Sequence, residues 1–143
     1  MKISIGSDHG GYELKEKIIK FLNAKKHRVI DRGTNSAESV DYPDYARKVA
    51  RDVAARRAKF GILICGSGIG MAMAANKVKG IRAASVESAY NAKMSRAHND
   101  ANVITIGARI TRPADARKWV DIFLKTKFEG GRHVRRVQKI EKL

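Results

Sequence analysis

Short apolar runs alternate with longer amphipathic segments along the whole chain. Five runs have the length and composition of buried strands: Ile3–Ile5, Val29–Ile30, Gly61–Ile64, Ile81–Val86 and Val103–Ile106. Between them, apolar residues recur at helical spacing, as Leu14, Ile18 and Leu22 do in a helix predicted over 11–26. Further helices are predicted over 43–57, from about 71 to 77, over 88–97 and over 113–126. This alternation predicts an α/β fold, in which a five-stranded parallel sheet carries helices on both faces.

A glycine-rich segment follows the third predicted strand and carries the most distinctive chemistry. Cys65 ends the strand, and Gly66, Gly68 and Gly70 alternate after it before a helical composition begins. A strand that leads through a glycine turn into a helix surrounds a small space with backbone N–H groups and a positive helix end. Glycine also lets the backbone approach an anion closely. Cys65 is therefore a candidate nucleophile or base beside an anion hole, which predicts chemistry on a small anionic molecule.

Composition limits the classes of protein to consider. The 143 residues suit one domain, 1–143, and a single cysteine cannot form an internal disulfide, which favours a reducing cytoplasm. No apolar run reaches the roughly 20 residues of a membrane helix, and the chain begins in a strand pattern rather than a signal-peptide pattern. We therefore expect no membrane partner.

The net charge of +16 requires a nucleic-acid role to be considered. The 30 Lys and Arg residues are spread over the polar faces of predicted helices, and neither aromatic stacking platforms nor zinc-finger spacing accompanies them. The sequence thus predicts no nucleic-acid partner, and the charge is better used for solubility and the attraction of small anions.

Polar side chains mark the carboxyl ends of the predicted strands, where ligands bind in such sheets. Asp8 and His9 follow the first strand, Cys65 ends the third, and Arg109 follows the fifth. By itself, an Asp-His pair is as often a helix cap beside a surface histidine. Its position opposite the glycine loop favours a role in substrate binding.

Two further groups lie away from these strand ends. His98 and Asn99 lie in a polar turn after the fourth helix, which alone is typical of a helix C-cap with an exposed histidine. Arg132 and Arg136 lie in the basic segment 128–143, past Gly130 and Gly131. If that segment is helical, the two guanidinium groups share a face and suit a phosphate, although a solvated basic tail explains them equally well.

Several blocks of sequence, in order, resemble class B ribose-5-phosphate isomerase, in the family that also holds the galactose- and allose-6-phosphate isomerases. They are Ser7–Gly11, Asp41–Ala46, Ile64–Gly70, Ala75–Lys77, Gly80–Ala83, His98–Asn102 and Phe128–His133. The resemblance implies a Rossmann-like three-layer sandwich with strand order 2-1-3-4-5 and no cofactor or metal. It also implies homodimers, often paired into tetramers. In those dimers the active site is shared between subunits and the segment 128–143 packs on the neighbour.

The resemblance also implies roles for individual residues. Cys65 would be the general base, with Ser67 assisting at the enediolate oxygens, and His98 would be the acid that opens the sugar ring. Ser67 stands where many relatives carry threonine. The implied substrate contacts are Asp8, His9, Tyr42, Gly66, Ser67, Gly68, Ile69, Gly70, Met71, Asn99, Arg109, Arg132 and Arg136.

The implied reaction interconverts ribose 5-phosphate and ribulose 5-phosphate, a step of the non-oxidative pentose phosphate pathway. The same residues would also serve a six-carbon substrate (allose or galactose 6-phosphate) or a four-carbon sugar phosphate. A different class, the nucleotide-binding module, stays open as an alternative. However, Met71 stands where the dinucleotide-binding fingerprint has its third glycine.

Overall fold

The alternation of strands and helices is confirmed in the computed structural model, which describes residues 1–143. A short 3-10 turn, His9–Gly11, lies between the first strand and the first helix, and a sixth helix follows the five predicted ones. The elements are β1 Lys2–Ser7, α1 Tyr12–Ala24, β2 Arg28–Asp31, α2 Tyr42–Ala54, β3 Phe60–Cys65, α3 Ile69–Ala75, β4 Ala83–Ser85, α4 Ala89–Ala97, β5 Val103–Gly107, α5 Pro113–Lys125 and α6 Arg132–Glu141. None of these helices has both the length and the apolar character needed to cross a membrane.

All strand pairs are parallel, but the expected order 2-1-3-4-5 was wrong. The observed order is β2-β1-β3-β5-β4, because β5 pairs with β3 and separates it from β4. Burial explains this arrangement. Each residue of β5 is buried, whereas β4 has three residues and none of them is fully buried. The longer apolar strand therefore takes the interior position, and the short strand lies at the edge.

The observed β4, Ala83–Ser85, is shorter than the strand predicted over Ile81–Val86, and side-chain amides satisfy backbone groups at its start. The Asn76 amide donates to the Ala83 carbonyl oxygen at 2.9 Å and accepts from the Ala83 N–H at 2.8 Å. The Asn102 carboxamide oxygen accepts from the Arg82 N–H at 2.9 Å. The Asn102 side chain thus satisfies the Arg82 N–H just before the strand, and Asn76 satisfies the Ala83 groups on the open side of β4, where no further strand pairs.

Two apolar cores lie on opposite faces of the sheet, which confirms the three-layer sandwich. One holds 17 buried residues and packs α1, α4 and α5 on the sheet, with Phe123 against Phe60 at its centre. The other holds 11 buried residues under α2 and α3, and Cys65 and Met71 are among them. Cys65 is therefore anchored in a core, while the loop that follows it lies at the surface.

A buried carboxylate fastens α2 to the sheet. The Asp52 side chain is 1% exposed; it accepts hydrogen bonds from Ser4 Oγ at 2.8 Å, from Arg32 Nε and Nη2 at 2.6 and 2.7 Å, and from Arg57 Nε at 2.9 Å. Burial alone raises the pKa of Asp52. The hydrogen bonds, that from Arg32 foremost, outweigh burial and lower the pKa from 3.8 to about 2.

We expect Asp52→Asn to lower the free energy of unfolding at pH 7 by about 2 kcal/mol, the linkage value of that pKa difference. A carboxyl group with a lowered folded-state pKa stabilises the protein above its unfolded pKa, and this contribution is lost as pH falls through the folded pKa. The difference between the two proteins should therefore shrink between about pH 4 and pH 2 in urea titrations. The control is Asp44→Asn, whose exposed carboxylate lies 3.6 Å from Arg47 and should contribute at most about 0.5 kcal/mol. An equal loss in both variants would contradict the prediction.

Candidate active site

The Cys65 thiol meets a backbone N–H across the glycine loop. The Gly68 N–H donates to Cys65 Sγ at 3.1 Å, and only 5% of Cys65 is exposed. Gly68 has φ +80°, a conformation that favours glycine, and its carbonyl oxygen accepts a 2.7 Å hydrogen bond from the buried Thr105 hydroxyl. Thr105 thus holds the loop in the shape that directs an N–H group at the sulfur and stabilises negative charge there.

The remainder of the loop is open to solvent and leads directly into α3. Ser67 is exposed, and its hydroxyl oxygen accepts from the Ile69 N–H at 3.2 Å. Ile69 is the first residue of α3 and is 52% exposed, whereas Met71 is fully buried and anchors the helix. The predicted anion-binding segment, 66–71, is therefore anchored by buried Met71 and has an accessible rim.

Tyr42 lines this rim. A Cβ atom placed on Gly70 would lie 2.6 Å from the Tyr42 ring, so only glycine leaves room for the ring at this point. Tyr42 is the first residue of α2, and Gly70 lies in the first turn of α3. Tyr42, a substrate contact in the resemblance, thus lies against the glycine loop.

Asp8 and His9 lie beside the same loop. Ser7 pairs with Ile64, and the Asp8 N–H donates to the Ile64 carbonyl oxygen at 3.2 Å. The buried Asp8 carboxylate caps the 3-10 turn by accepting from the Gly11 N–H at 3.1 Å. A hydrogen bond from the Val40 N–H to His9 Nδ1, 3.2 Å long, leaves Nε2 as the donor of the neutral ring.

Arg109 supplies the nearest positive charge. A Cβ atom on Gly66 would lie 3.2 Å from the Arg109 guanidinium carbon, so this side chain packs directly on the glycine loop. The backbones are joined as well, because Ala108 and Arg109 donate to the carbonyl oxygens of Cys65 and Gly66 at 2.8 and 3.1 Å. Asp8, His9, Tyr42, Cys65–Met71 and Arg109 together form what we call the thiol cluster.

His98 lies at the opposite end of the strands, where β5 begins. It is the C-cap of α4, which ends where β5 begins, and the neighbouring Asn102 accepts from the N–H of Gly61 near the start of β3. Cys65, at the end of β3, pairs instead with Gly107, at the end of β5. The length of β5, four residue-to-residue steps or about 13 Å, separates the two ends. One chain therefore does not bring His98 to Cys65.

The other residues predicted for the site lie with His98. Arg132 and Arg136 are in the first two turns of α6, and the adjacent His133 stacks on His98 with ring centroids 4.2 Å apart. Asn99 lines a groove of about 810 Å³ between β4 and the end of α6. His98, Asn99, Glu129, Arg132, His133 and Arg136 form the second group, the histidine cluster.

Sequence reasoning missed several residues that build these clusters. Thr105 reads as an ordinary strand residue, and no sequence signal connects it to Gly68. Arg82 donates to the Asp100 carbonyl oxygen and pairs with Glu141, which ties the His98 turn to the end of α6. Glu129 and His133 are one helical turn apart, a spacing that could have indicated a joint role.

His98, Glu129 and His133 form the one cluster whose side chains could hold a metal ion, with ligand atoms within 4.8 Å of one another. The two imidazole rings are stacked 14° from parallel. An ion cannot lie in the planes of two stacked rings at once, so the geometry favours a histidine pair over a metal centre. The thiol cluster offers a base and an anion hole, and the histidine cluster offers an acid and cations.

Comparison with known proteins agrees with this chemistry. The Ribose/Galactose Isomerase family matches residues 3–140. Ribose-5-phosphate isomerase B of Escherichia coli is 47% identical over 139 residues, which cover 97% of this chain and 93% of that protein. The structure of ribose-5-phosphate isomerase B from Clostridium thermocellum has a TM-score of 0.98 at 53% identity, covering 99% of this chain and 96% of that one. The Mycoplasma genitalium enzyme with bound ribulose-5-phosphate has a TM-score of 0.95 at 46% identity and covers 99% and 94%. The resemblance seen in the sequence is confirmed, and the chain belongs to the ribose/galactose isomerase family.

Proposed function

We propose that this protein is a ribose-5-phosphate isomerase that interconverts ribose 5-phosphate and ribulose 5-phosphate with Cys65 as the general base. The observation that carries the proposal is the Cys65 thiol, which accepts a backbone N–H at 3.1 Å at the start of α3. Moving a proton between adjacent carbons needs one base and a stabilised enediolate, and the loop combines both.

The reaction begins with ring opening. His98 donates a proton to the furanose ring oxygen as the C1–O bond breaks, and the C1 hydroxyl loses its proton, which leaves the open-chain aldehyde. Cys65 then removes the proton from C2, and the electron pair forms the enediolate. Backbone N–H groups of 66–71, assisted by the Ser67 hydroxyl, stabilise the negative oxygen. Return of that proton to C1, as the O2 hydroxyl proton moves to O1, gives the ketose with its carbonyl group at C2.

Cations recognise the phosphate, and polar side chains hold the sugar. His9, Arg109, Arg132 and Arg136 suit the phosphate oxygens, because guanidinium groups bind them through paired N–H donors. Asp8 and Asn99 bind hydroxyl groups, and Tyr42 covers the open side of the loop. A free thiol base suits the reducing cytoplasm, where we place the enzyme in the non-oxidative pentose phosphate pathway.

We further propose that two subunits complete each site. The thiol and histidine clusters lie at opposite ends of the strands, so the His98 of one subunit must approach the Cys65 of another. Exposed apolar side chains around the loop, those of Ile69 and Met73, support an interface there. In α6, His133 and Val137 are buried on their own subunit, while Val134 and Ile140 are exposed and free to pack on a neighbour. Pairing of dimers into tetramers belongs to the same proposal.

A panel of sugar phosphates tests the substrate. We expect kcat/KM for ribose 5-phosphate to exceed that for allose 6-phosphate, galactose 6-phosphate and erythrose 4-phosphate by at least about tenfold, since one carbon unit changes the fit by that order. A higher kcat/KM for a six- or four-carbon substrate would reassign the enzyme within its family. The nucleotide-binding alternative is tested in parallel by thermal shift with NAD. We expect no shift, because Met71 is fully buried where that motif requires glycine.

A further inference from the structure

The His98 imidazole is held between two groups that the proposed mechanism does not use. The His133 ring stacks on it with centroids 4.2 Å apart and planes 14° from parallel. Glu129 Oε2 lies 3.6 Å from His98 Nε2 and 3.7 Å from His133 Nε2. One carboxylate oxygen therefore faces both rings from nearly equal distances.

Backbone bonds fix this arrangement. The Glu129 N–H donates to the Ala97 carbonyl oxygen at 3.0 Å, which ties Glu129 to the last turn of α4 beside His98. The His133 N–H donates to Gly130 at 3.1 Å, and His133 is only 7% exposed. The carboxylate and the second ring thus keep their positions relative to His98 without any bound substrate.

The charges around the two rings determine which of His98 and His133 is the more easily protonated. Burial lowers the pKa of His133, and the positive charges of His98, Arg132 and Arg136 lower it further against the opposing effect of Glu129. On α4, the Arg96 guanidinium is directed at Asp100 and the Ala101 carbonyl oxygen. Two stacked imidazole rings are not readily both positively charged, because like charges repel at this distance. When His133 is neutral, the Glu129 carboxylate, 3.6 Å from His98 Nε2, is left to interact with His98.

We propose that Glu129 and His133 are positioning residues for ring opening: Glu129 keeps the proton on His98, and the neutral His133 ring fixes the plane from which that proton is delivered. This inference rests on the proposed function, because it assigns work to these residues in the step that His98 performs. Glu129 and His133 then play no part in the proton transfer at Cys65, which needs only the open-chain sugar.

The test compares a cyclic with an acyclic substrate. Ribose 5-phosphate must open its furanose ring, whereas ribulose 5-phosphate cannot form one. For Glu129→Gln we expect kcat/KM with ribose 5-phosphate to fall about tenfold at pH 7.5, and its alkaline limb to begin about 0.5–1 pH unit lower. Exchange of the C1 proton of ribulose 5-phosphate with solvent should stay within about twofold of wild type. His133→Ala should show the same separation, and His133→Phe, which keeps the stacked ring, should recover most of the loss.

The control is Asp121→Asn, which removes an acid from α5 whose partner is Lys125 and should change neither assay. Unchanged profiles in Glu129→Gln, or equal losses with both substrates, would overturn the inference. A second readout does not depend on activity: NMR of the imidazole carbons should show His98 losing its proton at lower pH in Glu129→Gln. The four histidines make the spectrum assignable with His98→Asn and His133→Asn. An unchanged His98 titration overturns the inference even if the enzyme acts on another sugar, and a wild type inactive on both substrates overturns only the proposed function.

Discussion

Cys65→Ala is expected to abolish isomerisation while leaving the substrate bound. A general base contributes about 10²–10⁴ in rate, and no second thiol is present to replace it. The thiol acts on a C–H proton and anchors little of the substrate, so the dissociation constant should change by less than about tenfold. Turnover should be followed from ribose 5-phosphate, and binding by calorimetry with the inactive protein.

The matched variant is Cys65→Ser, which keeps nearly the same volume in the core under α2 and α3 but replaces the thiol with a far weaker acid. Loss in both variants assigns the effect to proton transfer rather than to packing. Iodoacetamide should inactivate the wild type, and substrate should protect it. A Cys65→Ala protein that keeps more than about a tenth of wild-type turnover would exclude Cys65 as the base.

Two inactive variants should restore activity when they are refolded together. Cys65→Ala removes the base from one end of the strands, and His98→Asn removes the acid from the other end. If each site takes Cys65 from one subunit and His98 from the other, a mixed dimer has one doubly altered site and one intact site. Random mixing makes about half of the dimers mixed, so activity with ribose 5-phosphate should approach about a quarter of wild type.

Native mass spectrometry must show the mixed dimers, since absence of mixing would also give no activity. Mixed dimers without activity would mean that each subunit carries its own complete pair of residues. The control mixes Cys65→Ala with Cys65→Ser. This pair cannot complement under either arrangement, because no subunit supplies a thiol.

Local signals were sufficient for the parts of the structure that depend on neighbouring residues. The strand before Cys65, the glycine turn and α3 form one continuous segment, and Asp8 reaches the loop because β1 and β3 are neighbours, as in the 2-1-3 order that the resemblance implied. The shared face of Arg132 and Arg136 was conditional on a helix after Gly131, which α6 supplies; their spacing of four did not by itself exclude a solvated tail.

Features that depend on tertiary competition were not predictable from sequence. Whether β4 or β5 lies beside β3 depends on which strand can be buried on both faces, and both have parallel-strand composition. Glu129 meets His98 from 31 positions away, across α5, so the three-group arrangement around His98 exists only after folding. Thr105 and Asp52 act through hydrogen bonds that carry no local pattern.

The Asn76 side chain at the edge of β4 has a consequence for assembly. Its amide takes the place that a residue of a sixth strand would occupy, donating and accepting at Ala83 as a backbone would. An incoming chain finds those groups already satisfied, so Ala83 cannot pair with an added strand, and the β4 edge is protected there from edge-to-edge aggregation. At this edge, another copy of the protein therefore meets the side chains of helices and loops rather than the backbone of Ala83.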